Sequence, residues 1–317
     1  MTGAPSRSHL ALGVGVEFDA IRDMLGVWGA QATGIGDDAA MLALPAGAFL
    51  VVSTDASFEH VHFRRGWLGA REIGARATAA ALSDLAAMAA TPAGLLLALG
   101  VPPDWRAELD ALARGVGETA AAAGCPIVGG NVTRAAELSL TITVLGTAAR
   151  PLERSHARPG DALYVTGALG GAGAALDALL RGATPRAADR ARFASPQPRL
   201  ADARWLAEHG ASAAIDISDG LVADAGHLAA ASGVGVTLDL SALPCVEGVT
   251  PEGAASSGEE YELLVAVPEA TSLDGDEFLA RFGIALTRIG RVTVGQGVSL
   301  DGRENRVDLP FGHDHLS

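Results

Sequence analysis

The chain has 317 residues, 49% of them apolar, enough for two domains and too apolar for a disordered polymer. A formal charge of -14 argues against nucleic acid or an anionic membrane surface as a main partner. Lysine is absent and all 23 basic residues are arginines. That excludes a phosphate-loop lysine, the strand lysine of protein kinases and Schiff-base chemistry.

Met1–His9 is polar and lacks the apolar stretch of a signal peptide. A short helix is predicted over Glu17–Leu25. The valine-rich run Phe49–Thr54 reads as a strand ending at Asp55. Ala70–Ala90 is rich in alanine and leucine and reads as a helix stopped near Pro92. The apolar run Ala77–Val101 is interrupted by Asp84 and Pro92, so it is no membrane span. Leu95–Val101 is a second strand, Trp105–Ala123 a helix closed by Gly124, and Leu138–Leu145 a third strand. Composition shifts to Arg, Pro and Gly over Ala149–Asp161, which places a domain boundary between 1–149 and 150–317. Beyond it come strand Ala162–Thr166, the glycine-rich turn Gly167–Gly173 with a helix behind it, and a loop at Ser195–Pro198. Strand Ala213–Ile217, helix Leu221–Ala231 and strands Val234–Leu240, Tyr261–Val267 and Ala285–Val292 complete the reading. Strands and helices mix in both halves, giving α/β or α+β layers. Cys125 and Cys245 form no CxxC pair and fit a reducing cytoplasm.

Five acidic clusters sit at turns or beside apolar sequence: Asp37-Asp38, Ser53-Thr54-Asp55, Ser83-Asp84, Asp216 with Asp219, and Glu259-Glu260. Asp84 is the most informative, because it interrupts an otherwise uncharged stretch of helix. A carboxylate buried there needs an arginine such as Arg76, a hydroxyl network or a metal. Asp37 and Asp38 also read as a solvated turn, and Asp219 as a helix N-cap. Carboxylates and hydroxyls at strand ends are the hard oxygen donors that Mg²⁺ prefers beside phosphate oxygens. The turn Gly167–Gly173 has the composition of a backbone phosphate cradle, and equally of a plain helix start. His60 and His62 share a face if their segment is extended. No G-x-S-x-G nucleophile elbow occurs.

The stretches GIGDDAAML, VSTDASFEHVHF, ALSDLAAM, IVGGN, RPGDALYVTG, AIDISDGL and SGEEYELL, ending in GHDH, occur in this order from Gly34 to His315. Together they resemble the thiamine-monophosphate kinase family of the aminoimidazole-ribonucleotide synthetase-like proteins. The resemblance implies a two-domain PurM-like fold. Its N-terminal sheet would pair across a homodimer into a barrel, and its C-terminal domain would be a mixed sheet with helices. ATP would be co-substrate, lying in a cleft between domains with several Mg²⁺ ions on its phosphates, and thiamine monophosphate the acceptor.

By motif match, Asp38, Ser53, Thr54, Asp55, Asp84 and Asp216 would be magnesium ligands, with Asp219 on a further ion. Gly130, Arg154 and Ser218 would contact ATP, and His62 and Glu259 the thiamine phosphate. No side chain is assigned as acid or base, since an ionised phosphate acceptor needs positioning and charge neutralisation instead. The chain departs from the family pattern in three places. Asn131 replaces an aspartate at a metal- and ATP-binding position, and Ser257-Gly258-Glu259-Glu260 replaces Gly-Gly-Glu-Asp. Pro310 stands where an aromatic would stack on thiamine, with Phe311 adjacent as a substitute. The competing readings are a related ATP-dependent synthetase or cyclo-ligase and a non-catalytic nucleotide-binding relative.

Overall fold

The computed structural model describes residues 16–33, 35, 42 and 44–301. The chain forms two compact units, Met1–Leu85 with Thr91–Ala149, and Ala86–Ala90 with Arg150–Ser317. Asp37, Asp38 and Phe311 lie outside the described residues.

In the first unit the elements run α1 (Val16–Trp28), β1 (Phe49–Phe58), α2 (Ala70–Ala87), β2 (Thr91–Val101), α3 (Leu109–Ala122), β3 (Ile127–Arg134) and β4 (Ser139–Ala148). The four strands form one sheet in the order β1-β4-β2-β3, antiparallel except for the parallel pair β2–β3. Strict alternation along β4 buries Leu140, Ile142 and Val144 on one face, as a sheet covered on one side requires.

β1 does not end at Asp55. Pairing with β4 continues through Asp55↔Ile142 to Phe58↔Ser139, so Ser53, Thr54 and Asp55 lie in mid-strand. An edge strand tolerates polar residues in its interior because part of its surface faces solvent. α2 likewise stops at Ala87 rather than at Pro92: Ala89 takes a left-handed conformation, φ 51°, and turns the chain, leaving Pro92 inside β2 beside a bulge. Pro103–Glu108 is a 3₁₀ turn, and only then does α3 begin. β3 is not legible as a strand in the sequence, because Gly129 and Gly130 interrupt its apolar pattern.

The second unit holds β5 (Ala162–Thr166), α4 (Gly171–Leu180), α5 (Ala187–Ala194), α6 (Leu200–Glu208), β6 (Ala213–Asp216), α7 (Leu221–Ser232) and β7 (Gly235–Leu238). They are followed by α8 (Pro251–Ala255), β8 (Leu263–Val267), α9 (Gly275–Phe282), β9 (Leu286–Thr293) and β10 (Gly297–Leu300). Its sheet has the order β10-β7-β9-β5-β8-β6, antiparallel except for β10–β7. Every residue of β6 and β8 is buried, which is why β8 reads as a continuous apolar run and β6 as one closed by Asp216. Leu163, Val165, Ile215, Leu264 and Ile289 from the sheet pack with Leu221, Ala225 and Leu228 from α7.

α2 and α3 meet at two glycines. A Cβ on Gly115 would run into the Arg71 carbonyl, and one on Gly74 into the Leu112 carbonyl. Gly115→Ala should therefore destabilise the protein by about 1–3 kcal/mol, the usual effect of overpacking, despite alanine's better helix propensity. Urea titration of the two proteins measures it.

Candidate functional site

In the first unit, Ser53 and Asp55 point to one face of β1 and Thr54 to the other. The Ser53 hydroxyl donates to Asp84 Oδ2 on the half-buried flank of α2. Asp84 thus meets a hydroxyl of the neighbouring strand. Thr54 and Thr143, cross-strand partners, join hydroxyls at 2.9 Å, and Asp55 Oδ1 accepts from the Ala56 amide at 2.7 Å. Gly130 and Asn131 are exposed on β3, and the backbone at Gly130 passes so close to the Leu97 carbonyl that any side chain would clash.

His60 and His62 do not lie on an extended segment. They occupy a tight turn after β1, in which the amides of Val61 and His62 donate to the Phe58 carbonyl and His60 is left-handed, φ 69°. His62 Nδ1 accepts from the Phe58 amide at 3.1 Å. That fixes the ring's orientation and leaves Nε2 as its other polar atom.

In the second unit, β6 ends at the buried Asp216, and the chain continues through Ile217-Ser218-Asp219-Gly220 into α7. The carboxylate serving this helix start is Asp224, one turn inside α7, and not Asp219. Asp224 Oδ2 accepts the amides of Ser218, Asp219 and Gly220, each at 3.1 Å. Burial, then the charges of Asp216 and Asp219, push the Asp224 carboxyl up to about 8. Asp219, Asp224 and the exposed His227 bring potential ligand atoms within 4.8 Å of one another.

The loop before β8 lies against this one. The Glu259 amide donates to the Ser218 carbonyl at 2.6 Å, Tyr261 to Ile217 at 2.9 Å, and the Ile217 amide returns to Glu262 at 2.8 Å. Glu259 and Tyr261 are left-handed, with φ of 59° and 52°, conformations that non-glycine residues adopt only where surroundings enforce them. β8 consequently starts at Leu263 instead of Tyr261. Glu259 is half-buried, whereas Glu260 and Glu262 are buried.

The turn Gly167–Gly173 leads into α4, and the amides of Gly170, Ala172 and Gly173 are already used. Glu260 Oε1 accepts from Gly170 and Ala172, both at 3.0 Å, and Ser257 Oγ from Gly173 at 2.9 Å. A phosphate there would have to displace a buried carboxylate. Glu262 is held by Arg199, Nε at 2.8 Å and Nη2 at 2.5 Å, and by the Thr166 hydroxyl at 2.7 Å. Burial alone would lower the Arg199 pKa, but the hydrogen bond and charge of Glu262 leave it raised. Arg154 is exposed, its carbonyl accepting from Ser232 Oγ at 2.5 Å.

Sequence reading missed Asp224, His227, Arg199 and Glu262. A charge inside the apolar run Leu221–Ser232 was the available signal for Asp224, the same signal that singled out Asp84. Nothing local distinguishes Arg199 from the other arginines.

The raised Asp224 pKa sets a pH dependence. The folded state holds this proton up to about pH 8, while an unfolded aspartate releases it near 3.8. Its contribution is therefore fully present below the unfolded value and is lost as pH rises through the folded one. Without divalent cations, wild type should lose up to about 1.4 kcal/mol of stability per pH unit across that window relative to Asp224→Asn. Denaturant melts at pH 5 and pH 8 in chelator read the difference; parallel curves would contradict it.

The family descriptions "AIR synthase related protein, N-terminal domain" and "AIR synthase related protein, C-terminal domain" match residues 36–148 and 158–303. The chain is 36% identical over 303 residues to a thiamine-monophosphate kinase of Salmonella typhimurium, covering 90% of this chain and 92% of that one. It superposes on the crystal structure of thiamine-monophosphate kinase from Stenotrophomonas maltophilia K279a with a TM-score of 0.81 at 34% identity, over 89% of this chain and 97% of that one. With AaThiL complexed with AMPPCP and TMP the TM-score is 0.73 at 30% identity, covering 92% and 94% of the two chains. Similarity of this extent, spanning both units, places the chain in the thiamine-monophosphate kinase family of AIR synthase related proteins.

Proposed function

We propose that the protein transfers the γ-phosphoryl group of ATP directly to thiamine monophosphate, giving thiamine diphosphate and ADP. The observation that carries this reading is kinship over nearly the whole chain with kinases of that name, together with a structure of one such relative complexed with AMPPCP and TMP. In the reaction an acceptor phosphate oxygen forms a bond to the γ-phosphorus. The bond to the β-phosphate oxygen breaks, and that oxygen keeps the electron pair. The acceptor is already ionised, so no strong general base is required.

Magnesium fits the donor set. Asp216, Asp219 and Asp224 are close enough for the first two to push up the third, and such crowding is what a divalent cation relieves. Ser53 Oγ meets Asp84, and together with Asp55 these residues supply only oxygen, the ligand type that magnesium selects. When bound, magnesium would neutralise phosphate charge and orient donor and acceptor oxygens. Asp55, Asp84, Asp216 and Asp219 are assigned to hold it, with Asp38, Ser53 and Thr54. Gly130, Asn131, Ser218 and the exposed Arg154 are assigned to ATP, and His62, Glu259 and Phe311 to the thiamine phosphate. Gly130 is exposed on β3, and Arg154 offers a bidentate contact to phosphate.

We further infer a homodimer formed through β1. This edge strand presents Phe49, 63% exposed, and Val52, 53% exposed, along with Leu50 and Phe58. Long apolar edges are covered in stable soluble proteins, and a second copy is the cover proposed here. No helix of the described residues is long and apolar enough to cross a membrane. Cys125 and Cys245 are free thiols, Cys125 buried and pushed up to about 12 by that burial, which suits the cytoplasm.

An assay of ADP release with thiamine monophosphate and magnesium tests the reaction. Wild type should turn over, and Asp84→Asn should abolish metal-dependent turnover; normal turnover in that variant would make Asp84 purely structural. Asn131→Asp should raise the rate if the missing carboxylate limits metal binding. Retained ATP binding without turnover in wild type would favour the non-catalytic reading. For the dimer, Val52→Arg should sediment as a monomer at concentrations where wild type sediments as a dimer.

A further inference from the structure

Two loops of the second unit, Ile217–Gly220 and Ser257–Glu262, carry residues assigned to opposite sides of the reaction. Ser218 and Asp219 serve the nucleotide and metal, and Glu259 the acceptor. The loops are joined by the three backbone bonds linking Ile217 and Ser218 to Glu259, Tyr261 and Glu262. Gly258 lets them approach, since a Cβ there would lie 2.9 Å from the Ser218 carbonyl oxygen.

Those bonds alone do not explain why Glu259 and Tyr261 stay left-handed. The residues next to each do. Glu260, its side chain fully buried, is fixed by two amides of the α4 start, by Ser257 Oγ at 2.5 Å and by Arg192 Nη1 at 3.5 Å. Glu262, 1% exposed, is fixed by both Arg199 contacts and by Thr166, whose own oxygen accepts the Leu263 amide at 2.9 Å. A Cβ on Gly167 would occupy the space of the Glu262 carboxylate, so the neighbouring turn is shaped around it. Alternation along Glu259-Glu260-Tyr261-Glu262 is thus pinned at two buried anchors.

We infer that Arg199 and Glu262 are positioning residues that hold the nucleotide-side loop and the acceptor-side loop in one fixed register. The inference rests on the proposed kinase reading for what the loops bind, but not for their mechanical coupling. Arg199 reaches Glu262 from just ahead of α6, an element outside both loops. The planar guanidinium makes two contacts that a lysine ammonium cannot reproduce, so charge alone does not fulfil the role. The Thr166 hydroxyl completes the carboxylate's partners and ties it to β5.

The test compares Arg199→Lys and Glu262→Gln with wild type and with Arg181→Ala, which removes an exposed pair with Asp177. Amide hydrogen exchange is read at 217–220 and at 259–262, and KM is measured separately for Mg·ATP and for thiamine monophosphate. In Arg199→Lys, both loops should exchange at least about tenfold faster, and both KM values should rise about tenfold, the scale on which supporting partners act at a site. The interior of α7 should exchange as in wild type. Arg181→Ala should match wild type throughout. Unchanged exchange in both loops, or faster exchange at 259–262 alone with both KM values unchanged, overturns the inference and leaves the kinase reading intact. Absence of turnover in wild type overturns the kinase reading instead, and loop exchange still decides the coupling. Should Glu262→Gln fail to fold, Arg199→Lys, which keeps the charge, carries both readouts.

Discussion

The second unit depends on the crossing of two short loops whose backbones satisfy each other. Ile217 gives its amide to Glu262 and takes one from Tyr261, while Ser218 takes one from Glu259. A buried loop must place its backbone polar groups somewhere, and here each loop is the other's partner. The consequence is geometric. Once β6 and β8 pair, with Asp216 opposite Leu263, the loops leaving them are bound to continue the ladder although neither is a strand. The left-handed Glu259 and Tyr261 are what that continuation demands, and the buried carboxylates of Glu260 and Glu262 meet the demand by fixing the positions between and beyond them.

The first unit meets a different constraint, since the hydroxyls of Ser53 and Thr54 sit on an edge strand. β1 turns Ser53 toward α2 while exposing Leu50, Val52 and Phe58 on its other face. Ser53 and these apolar side chains therefore share one strand but not one face. The close α2–α3 crossing at Gly74 and Gly115 brings α2, and with it Asp84, into place without large side chains. Small residues dominate α2 for the same reason: Ala77, Ala79, Ala80, Ala81 and Ala86 are all buried.

Much of this was legible in the sequence because it rests on local signals. Ala162–Thr166 reads as a strand and is β5 with the same limits, and Leu221–Ala231 differs from α7 by one residue. Apolar periodicity and a closing glycine decided both. What escaped was set by distant partners. Asp55 looks like a strand end until β4 is seen pairing beyond it. The turn Gly167–Gly173 looks like an anion cradle until Glu260, remote in sequence, is found on its amides. Asp219 looks like an N-cap, yet Asp224 binds the amides of that helix start from inside the helix. In each case the local signal was compatible with two outcomes, and a tertiary contact chose between them.

The acidic residues divide by burial into two kinds of work. Glu260, Glu262 and Asp224 are buried and accept from backbone amides, hydroxyls or arginines, so their oxygens are spent on holding loops. Asp55, Asp84, Asp219 and Glu259 are only half-buried. A carboxylate that is to meet a cation or a substrate has to keep part of its surface open, and one that holds the fold does better closed. Asp216 differs from these in being buried, at the last residue of the edge strand β6. The arginines follow the same division. Arg192 and Arg199 are committed to glutamates, while Arg154 stands exposed. In a chain without lysine, committing arginines to the scaffold leaves fewer protein cations for phosphate. On the proposed kinase reading, the acidic clusters would recruit from solution the positive charge that the side chains do not provide.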